Sequence, residues 1–230
     1  MDKDDFGFAD FMASTVHDMK NSLMMQVNSL EIIAAQCQRS GDVETAHSLG
    51  AIIFDASRMN SSLIQLLSLY KFDCSVYPLD INEQNIADIL QQAVLQDKSS
   101  QQFKGIAVTI ECDPDLQWYV DRDLLTGIVI NALNNAYHYT TDKVRIVASL
   151  AVSQLEVRVE DNGAGYPAHM LDKNQLSDAR AVHFSSGSTG LGFHFASRAA
   201  KMHKNGALRG SLSIENGGLW GGGCFVVRLP

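Results

Sequence analysis

The run MASTVHDMKNSLMMQV, residues 12–27, decides how the chain begins to fold. Within and beyond it, Met12, Val16, Met19, Leu23, Val27, Leu30, Ile33 and Cys37 follow one another at steps of three or four residues. That spacing draws an apolar stripe down a long helix, because side chains three and four apart share a helical face. At about 100° per residue, His17 falls away from the stripe, beside Asn21 and Asn28, with Asp18 around the other side of the polar face. His17 is therefore expected to face solvent. Alone, an exposed histidine is no more than a polar surface position.

Outward from this stretch, the pattern predicts a first helix from about Phe8 to Gln38. It stops at Ser40-Gly41-Asp42, where Gly suits a helix end and Asp42 can cap the next start. Leu49, Ile52, Ile53, Ala56, Met59, Leu63, Leu66, Leu67 and Tyr70 keep the same spacing, so a second long helix returns as an antiparallel hairpin. A lone hairpin with a stripe on each arm leaves one side wet. Pairing two hairpins into a four-helix bundle buries both, and a homodimer is expected; packing of the hairpin on the rest of its own chain is the alternative. The pattern breaks at Cys74 to Leu79, with Tyr77-Pro78, which reads as a linker between domains 1–76 and 77–230.

The second domain alternates in type. A helix is expected near Glu83 to Asp97, strands near Ile106 to Glu111 and Trp118 to Val120, and a helix from Asp121 to Tyr139. Strands Val144 to Val152 and Leu155 to Glu160 follow, then an irregular segment, a helix from about Leu191 to His203, and strands Ser211 to Ile214 and Cys224 to Leu229. The fold class is thus α+β, a helical hairpin followed by an α/β sandwich of one sheet covered by helices. Gly217 to Gly223 reads as a flexible turn before the last strand.

Composition narrows the function. The 230 residues are 46% apolar, enough for a real core, and the formal net charge of −8 argues against nucleic acid or an anionic membrane surface as partner. Cys37, Cys74, Cys112 and Cys224 are scattered without zinc or redox spacing and read as free thiols in a reducing cytosol. No apolar run approaches the about 20 residues of a membrane span, and Met1-Asp2-Lys3-Asp4-Asp5 is too acidic for a signal peptide. A cytoplasmic chain without membrane insertion is expected.

Three stretches of the second domain carry chemistry. In Asp161-Asn162-Gly163-Ala164-Gly165, a carboxylate ends an apolar strand and is followed by glycines that let backbone approach a ligand closely, which suits an adenine amino group; a plain hairpin turn is the rival reading. Ser185-Ser186-Gly187-Ser188-Thr189-Gly190-Leu191-Gly192 precedes a helix, so its amides and the positive helix end can cradle phosphates. A flexible Gly/Ser linker is the alternative there. On the helix before Thr140, Asn131 and Asn135 lie one turn apart, an arrangement of amide oxygens that can hold hydrated Mg²⁺ against nucleotide phosphates.

Taken in order, these three stretches resemble the nucleotide-binding boxes of the ATPase domain shared by histidine kinases, DNA gyrase, a heat-shock chaperone family and the MutL repair proteins. The run His17-Asp18-Met19-Lys20-Asn21-Ser22-Leu23 resembles the phosphoacceptor box of sensor histidine kinases. It departs at Ser22, where that family usually has a helix-bending Pro, and at Lys20, where Arg is commoner. The resemblance to a histidine kinase core spans essentially the whole chain.

The resemblance implies that Asn135 binds magnesium, Asp161 pairs with adenine, Tyr139 neighbours it, and Gly187 with Gly190, Leu191 and Gly192 cradles the phosphates of ATP. Asn131, Gly163 and Gly165 belong to the same boxes. Where the family usually places Lys or Arg, three residues after Asn135, this chain has His138, a weaker cation at neutral pH. The lid stretch Tyr166 to Phe184 lacks a paired-aromatic box, so slow turnover is expected, and no stretch is left over for a membrane sensor.

The implied chemistry is phosphoryl transfer. Asp18 would bond one nitrogen of His17, the other would attack the γ-phosphate, and phosphohistidine would then donate to an Asp of a response regulator receiver domain. Asn21 would orient a water for dephosphorylating that receiver, and Met24 and Met25 would offer it a soft docking surface, with plain packing as the alternative. The runner-up is a histidine phosphotransferase whose ATPase-like domain is degenerate. An ATPase clamp would share the second domain but has no use for His17-Asp18-x-x-Asn21. His47, His194 and His203 carry no ligand spacing and read as structural.

Overall fold

The computed structural model describes residues 3–171 and 190–230, and the chain divides into two compact units, Met1–Tyr77 and Pro78–Pro230. The first unit is a hairpin of α1 (Lys3–Ser40) and α2 (Val43–Asp73). Its turn is made by local chemistry. Gly41 takes a φ of 82°, the Asp42 amide donates to the Cys37 carbonyl at 2.9 Å, and the Asp42 carboxylate accepts the Thr45 amide at 3.1 Å.

Val16, Ala46, Ile53, Phe54, Leu69 and Phe72 are buried. Of the first-helix stripe, Leu23, Val27, Leu30 and Cys37 are half-buried, Met19 and Ile33 are exposed, and the side chain of Met12 lies outside the described part. Ile52, Met59 and Leu66 of the second stripe are exposed too. Two helices in contact cover one narrow seam, so each stripe is wider than its partner can bury.

The second unit runs β1 (Ile81–Asn85), α3 (Ile86–Gln96), α4 (Lys98–Lys104), β2 (Ala107–Glu111), β3 (Gln117–Asp121) and α5 (Arg122–Tyr139). It continues through β4 (Lys143–Ala151), β5 (Gln154–Asp161), a 3-10 turn (Ala168–Met170), α6 (Leu191–Met202), β6 (Lys204–Asn205), β7 (Leu208–Arg209), β8 (Ser211–Asn216) and β9 (Gly223–Leu229). The main sheet has the order β2-β4-β5-β9-β8, with β2 and β4 parallel and the other pairs antiparallel. Helix α5 packs on α3, α6 and β5.

Period-two burial separates the sheet faces. Leu155, Val157 and Val159 are buried in the core, while Glu156, Arg158 and Glu160 point the other way, into a charged ladder with Arg145, Glu111, Glu215 and Arg228. Each fully buried aliphatic side chain of that core, such as Ile128 or Ile146, contributes about 1.5–3 kcal/mol.

Four local expectations change. The helix expected from Glu83 begins at Ile86, because Ile81–Asn85 pairs antiparallel with Gln117–Asp121 as a separate two-stranded sheet and Asn85 then caps α3 through the Asp88 amide at 3.0 Å. The polar run of Ile81–Asn85 has no apolar alternation, so only its partner makes it a strand. The strand expected to reach Val152 ends at Ala151, since Val152 and Ser153 form a turn with φ of 46° and 65°. A short helix, α4, was not expected from its polar sequence. Finally, the glycine-rich turn after β8 is closed rather than loose: Gly217 donates to the Gly222 carbonyl at 2.9 Å, and Leu219 donates to Glu160 at 3.1 Å.

Candidate functional site

On α1, the side chain of His17 is 61% exposed. The Asn21 amide nitrogen lies 3.3 Å from its Nδ1 and 3.5 Å from its Nε2, as residues four apart on a helix should. Asp18 Oδ1 stands 3.6 Å from Nδ1, beyond a hydrogen bond, so the expected Asp18 to His17 hydrogen bond is not formed here. Adjacent helical side chains diverge, which leaves Asn21 as the closer polar neighbour.

In the second unit, the C-terminal half of α5 gathers the other residues. Asn131 is buried, and its amide oxygen occupies the space a Cβ on Gly192 would need. That close approach sets Asn131 against the start of α6, where Gly190 adopts a φ of 62° just before Leu191. A helix N-terminus carries unpaired amides and partial positive charge, which suits phosphate oxygens. Asn135, one turn further along α5, is half-buried, and its Nδ2 is buried with no hydrogen-bond partner among the described residues.

At the end of α5, the Tyr139 carbonyl oxygen fills the place of a Cβ on Gly163. The Tyr139 ring is exposed and stands edge-on to His138 at 4.7 Å. Asp161 is 7% exposed, and its Oδ1 accepts the amides of Gly163 at 2.7 Å and Gly223 at 3.2 Å. Gly163 and Gly192 are therefore bare because protein atoms already press on them. Gly187, with Ser185, Ser186, Ser188, Thr189 and the lid stretch from residue 172 to Phe184, lies outside the described residues.

Residues missed by sequence reasoning also shape this site. Asn162 Oδ1 accepts the Thr140 hydroxyl at 2.7 Å and the amides of Thr141, Asp142 and Lys143 at 3.1–3.2 Å, while its Nδ2 donates to Asp142 at 2.7 Å. It ties the turn after α5 to the end of β5. Gly223 escaped notice inside a glycine run, although a run ending at the first residue of an apolar strand is itself a signal of close packing. Nearby, burial pushes the Cys224 thiol up to about 12, with Glu160, Glu215 and Glu156 adding to the rise against Arg158, so it is a structural thiol. His203 is likewise structural: buried, it accepts the Asp121 amide through Nε2 at 3.1 Å, and burial lowers its pKa.

The close-packed glycines and the α6 start are features that suit a nucleotide. No group of three His, Cys, Asp or Glu able to hold a metal ion exists among the described residues, so any Mg²⁺ would need oxygens from the nucleotide beside an amide such as that of Asn135. The unpartnered Asn135 Nδ2 is a donor, suited to an acceptor such as a phosphate oxygen and not to a cation.

Comparison with known proteins bears on the second unit most directly. The family described as histidine kinase-, DNA gyrase B-, and HSP90-like ATPase matches residues 120–230. Residues 120–230 are thus similar to histidine kinase-type ATPase domains. The chain is 23% identical over 227 residues to the sensor protein SrrB of Staphylococcus aureus strain N315, covering 96% of this chain and 38% of SrrB. It spans about two fifths of the length of the curated relatives it matches.

Among solved structures, full-length ShkA in complex with AMPPNP superposes with a TM-score of 0.61 at 19% identity, covering 96% of this chain and 45% of that one. The Acinetobacter baumannii histidine kinase AdeS gives 0.59 at 15% identity, covering 89% and 96%. A helical hairpin followed by an α/β sandwich is thus a fold shared with these solved proteins. No helix among the described residues is long and apolar enough to cross a membrane.

Proposed function

We propose that this chain is the dimerisation, phosphoacceptor and catalytic core of an ATP-dependent protein-histidine kinase in a two-component system. The observation that carries the reading is His17, exposed on a helix with the Asn21 amide beside it, on the same chain as a histidine kinase-type ATPase domain. ATP is the substrate. Asp18 Oδ1 stands 3.6 Å from Nδ1, a little farther than the Asn21 amide at 3.3 Å, and as the acceptor of the two it holds the proton there once a small rotation closes the gap, while Nε2 keeps the lone pair that attacks the γ-phosphorus. A nitrogen to phosphorus bond forms, the bond to the bridging oxygen breaks, and ADP leaves. The phosphoryl group then passes to an Asp of a response regulator receiver domain.

In the ATPase domain, Asp161 takes the adenine amino group, Tyr139 borders the ring, and Gly190 with Leu191 and Gly192 at the α6 start holds the phosphates. Gly187 belongs to the same cradle. Asn135, supported by Asn131, would hold Mg²⁺, whose charge would offset that of the phosphates. His138 stands where a permanent cation would serve better, which favours slow turnover. It also favours the second reading, a histidine phosphotransferase with a non-catalytic ATPase-like domain in a phosphorelay.

The test is incubation with γ-labelled ATP and Mg²⁺ beside His17→Ala and Asn135→Ala. Acid-labile label on the wild type alone supports the kinase; no label, with phosphate still accepted from a phosphorylated receiver, replaces it by the phosphotransferase. Asn21→Ala should keep autophosphorylation and lose dephosphorylation of the receiver, and unchanged receiver dephosphorylation removes that role.

A further inference from the structure

We propose that Asn216, at the end of β8, is a positioning residue of the nucleotide site: its amide clasps the Tyr166 backbone and so fixes the Asp161 to Gly165 turn. The inference rests on the reading of that turn as the adenine side of an ATP site. Asn216 Oδ1 accepts the Tyr166 amide at 2.6 Å, and its Nδ2 donates to the Tyr166 carbonyl at 2.8 Å. One side chain thus plays the part of a neighbouring strand, using both donor and acceptor; an aspartate offers only acceptors and an aliphatic residue neither.

The fit extends to Gly165. It adopts a φ of 78°, and a Cβ there would lie 2.8 Å from the Asn216 amide carbon and oxygen. The second glycine of the Asp161-x-Gly163-x-Gly165 motif is therefore required by Asn216, on both backbone conformation and space. Tyr166 is held beyond the clasp as well. Its ring stands 6.2 Å from Phe193 in the first turn of α6, and Phe193 stands 5.7 Å from Phe225 on β9.

The turn is consequently tied at both ends to the β8–β9 hairpin, at Asp161 by the Gly223 amide and at Tyr166 by Asn216. Through Tyr166 and Phe193 the same clasp sets the turn against the α6 start, so the adenine end and the phosphate end keep a fixed separation. Bonds that pre-organise a site raise affinity by removing the ordering cost from binding.

Two readouts on the full chain test this: amide hydrogen exchange at Tyr166, and affinity for a fluorescent trinitrophenyl-ATP with Mg²⁺. Asn216→Ala should lower Tyr166 protection and weaken nucleotide binding by about tenfold each. Asn216→Asp, which keeps the acceptor but turns a carboxylate oxygen toward the Tyr166 carbonyl, should also lower the protection and weaken binding by about tenfold. Loss of protection without loss of affinity would reduce Asn216 to a structural role and overturn the proposal, as would wild-type values for both readouts in the alanine variant. If that variant does not fold, an aspartate variant with wild-type affinity overturns it. A wild-type chain that binds no nucleotide refutes the ATP-site reading instead, while the exchange data still judge the clasp.

Discussion

Asp97 sits at the junction of α3 and α4, only 6% exposed, with its Oδ2 unpartnered among the described residues. Burial raises its carboxyl from 3.8 to about 6, against a lowering bond from the Ser100 hydroxyl. The neighbouring Tyr137 phenol, also buried, is raised by its own burial first and by the Asp97 charge second. Because the folded chain binds this proton more tightly than the unfolded one, its stabilising effect is complete below pH 3.8 and is lost as pH rises through about 6. The charged carboxylate then costs about 3 kcal/mol at neutral pH. Asp97→Asn should raise the melting temperature of the second unit by several degrees at about pH 7.5 and change little at about pH 3.5. A calorimetric scan with equal gains at both values would contradict this account. Nothing local singles out Asp97, since a carboxylate before Lys98 in a polar stretch reads as surface until α5 is laid over it.

Among the elements, those with long periodic patterns were legible and those made by a partner were not. Helices α1, α2, α5 and α6 and strands β4, β5 and β9 follow spacing and alternation. Strand β1 exists because β3 pairs with it, and both are joined to the core through Asp121. The Asp121 carboxylate caps α5 through the Leu124 amide at 3.0 Å and accepts the Asp80 amide at 3.0 Å from 41 residues away, while its own amide donates to His203. Asp121→Ala removes a cap and leaves the part-buried Asp80 amide without its acceptor, so the second unit should lose about 2 kcal/mol in urea unfolding. A loss no larger than a few tenths would show that water replaces the carboxylate at both amides.

For the molecule as a whole, the hairpin leaves Met19, Met25, Ile32, Ile33, Ile52, Met59 and Leu66 exposed. This many large apolar side chains exposed on two helices call for a cover, and a second hairpin supplies one of matching length. Light scattering at micromolar concentration should therefore give twice the chain mass, and Ile52→Asp with Met59→Asp should return the monomer. A monomeric wild type would remove the bundle. The same arrangement would place two acceptor histidines in one particle, and labelling of mixed dimers of His17→Ala and Asn135→Ala would then separate transfer within a chain from transfer between chains.

Local order was therefore readable from residues alone: two amphipathic helices, the turn at Gly41, the alternation of the sheet, and three glycine- and asparagine-rich motifs in sequence. Each of these depends on neighbours within a few positions, where helical and strand periodicity act. What fills the space around the motifs was decided only in three dimensions. The atoms pressing on Gly163 and Gly192 come from Tyr139 and Asn131, and the amide clasping Tyr166 comes from Asn216, 50 residues away. Such contacts follow from the order of strands in the sheet, which brings β8 and β9 to the end of β5 and leaves no trace in local spacing.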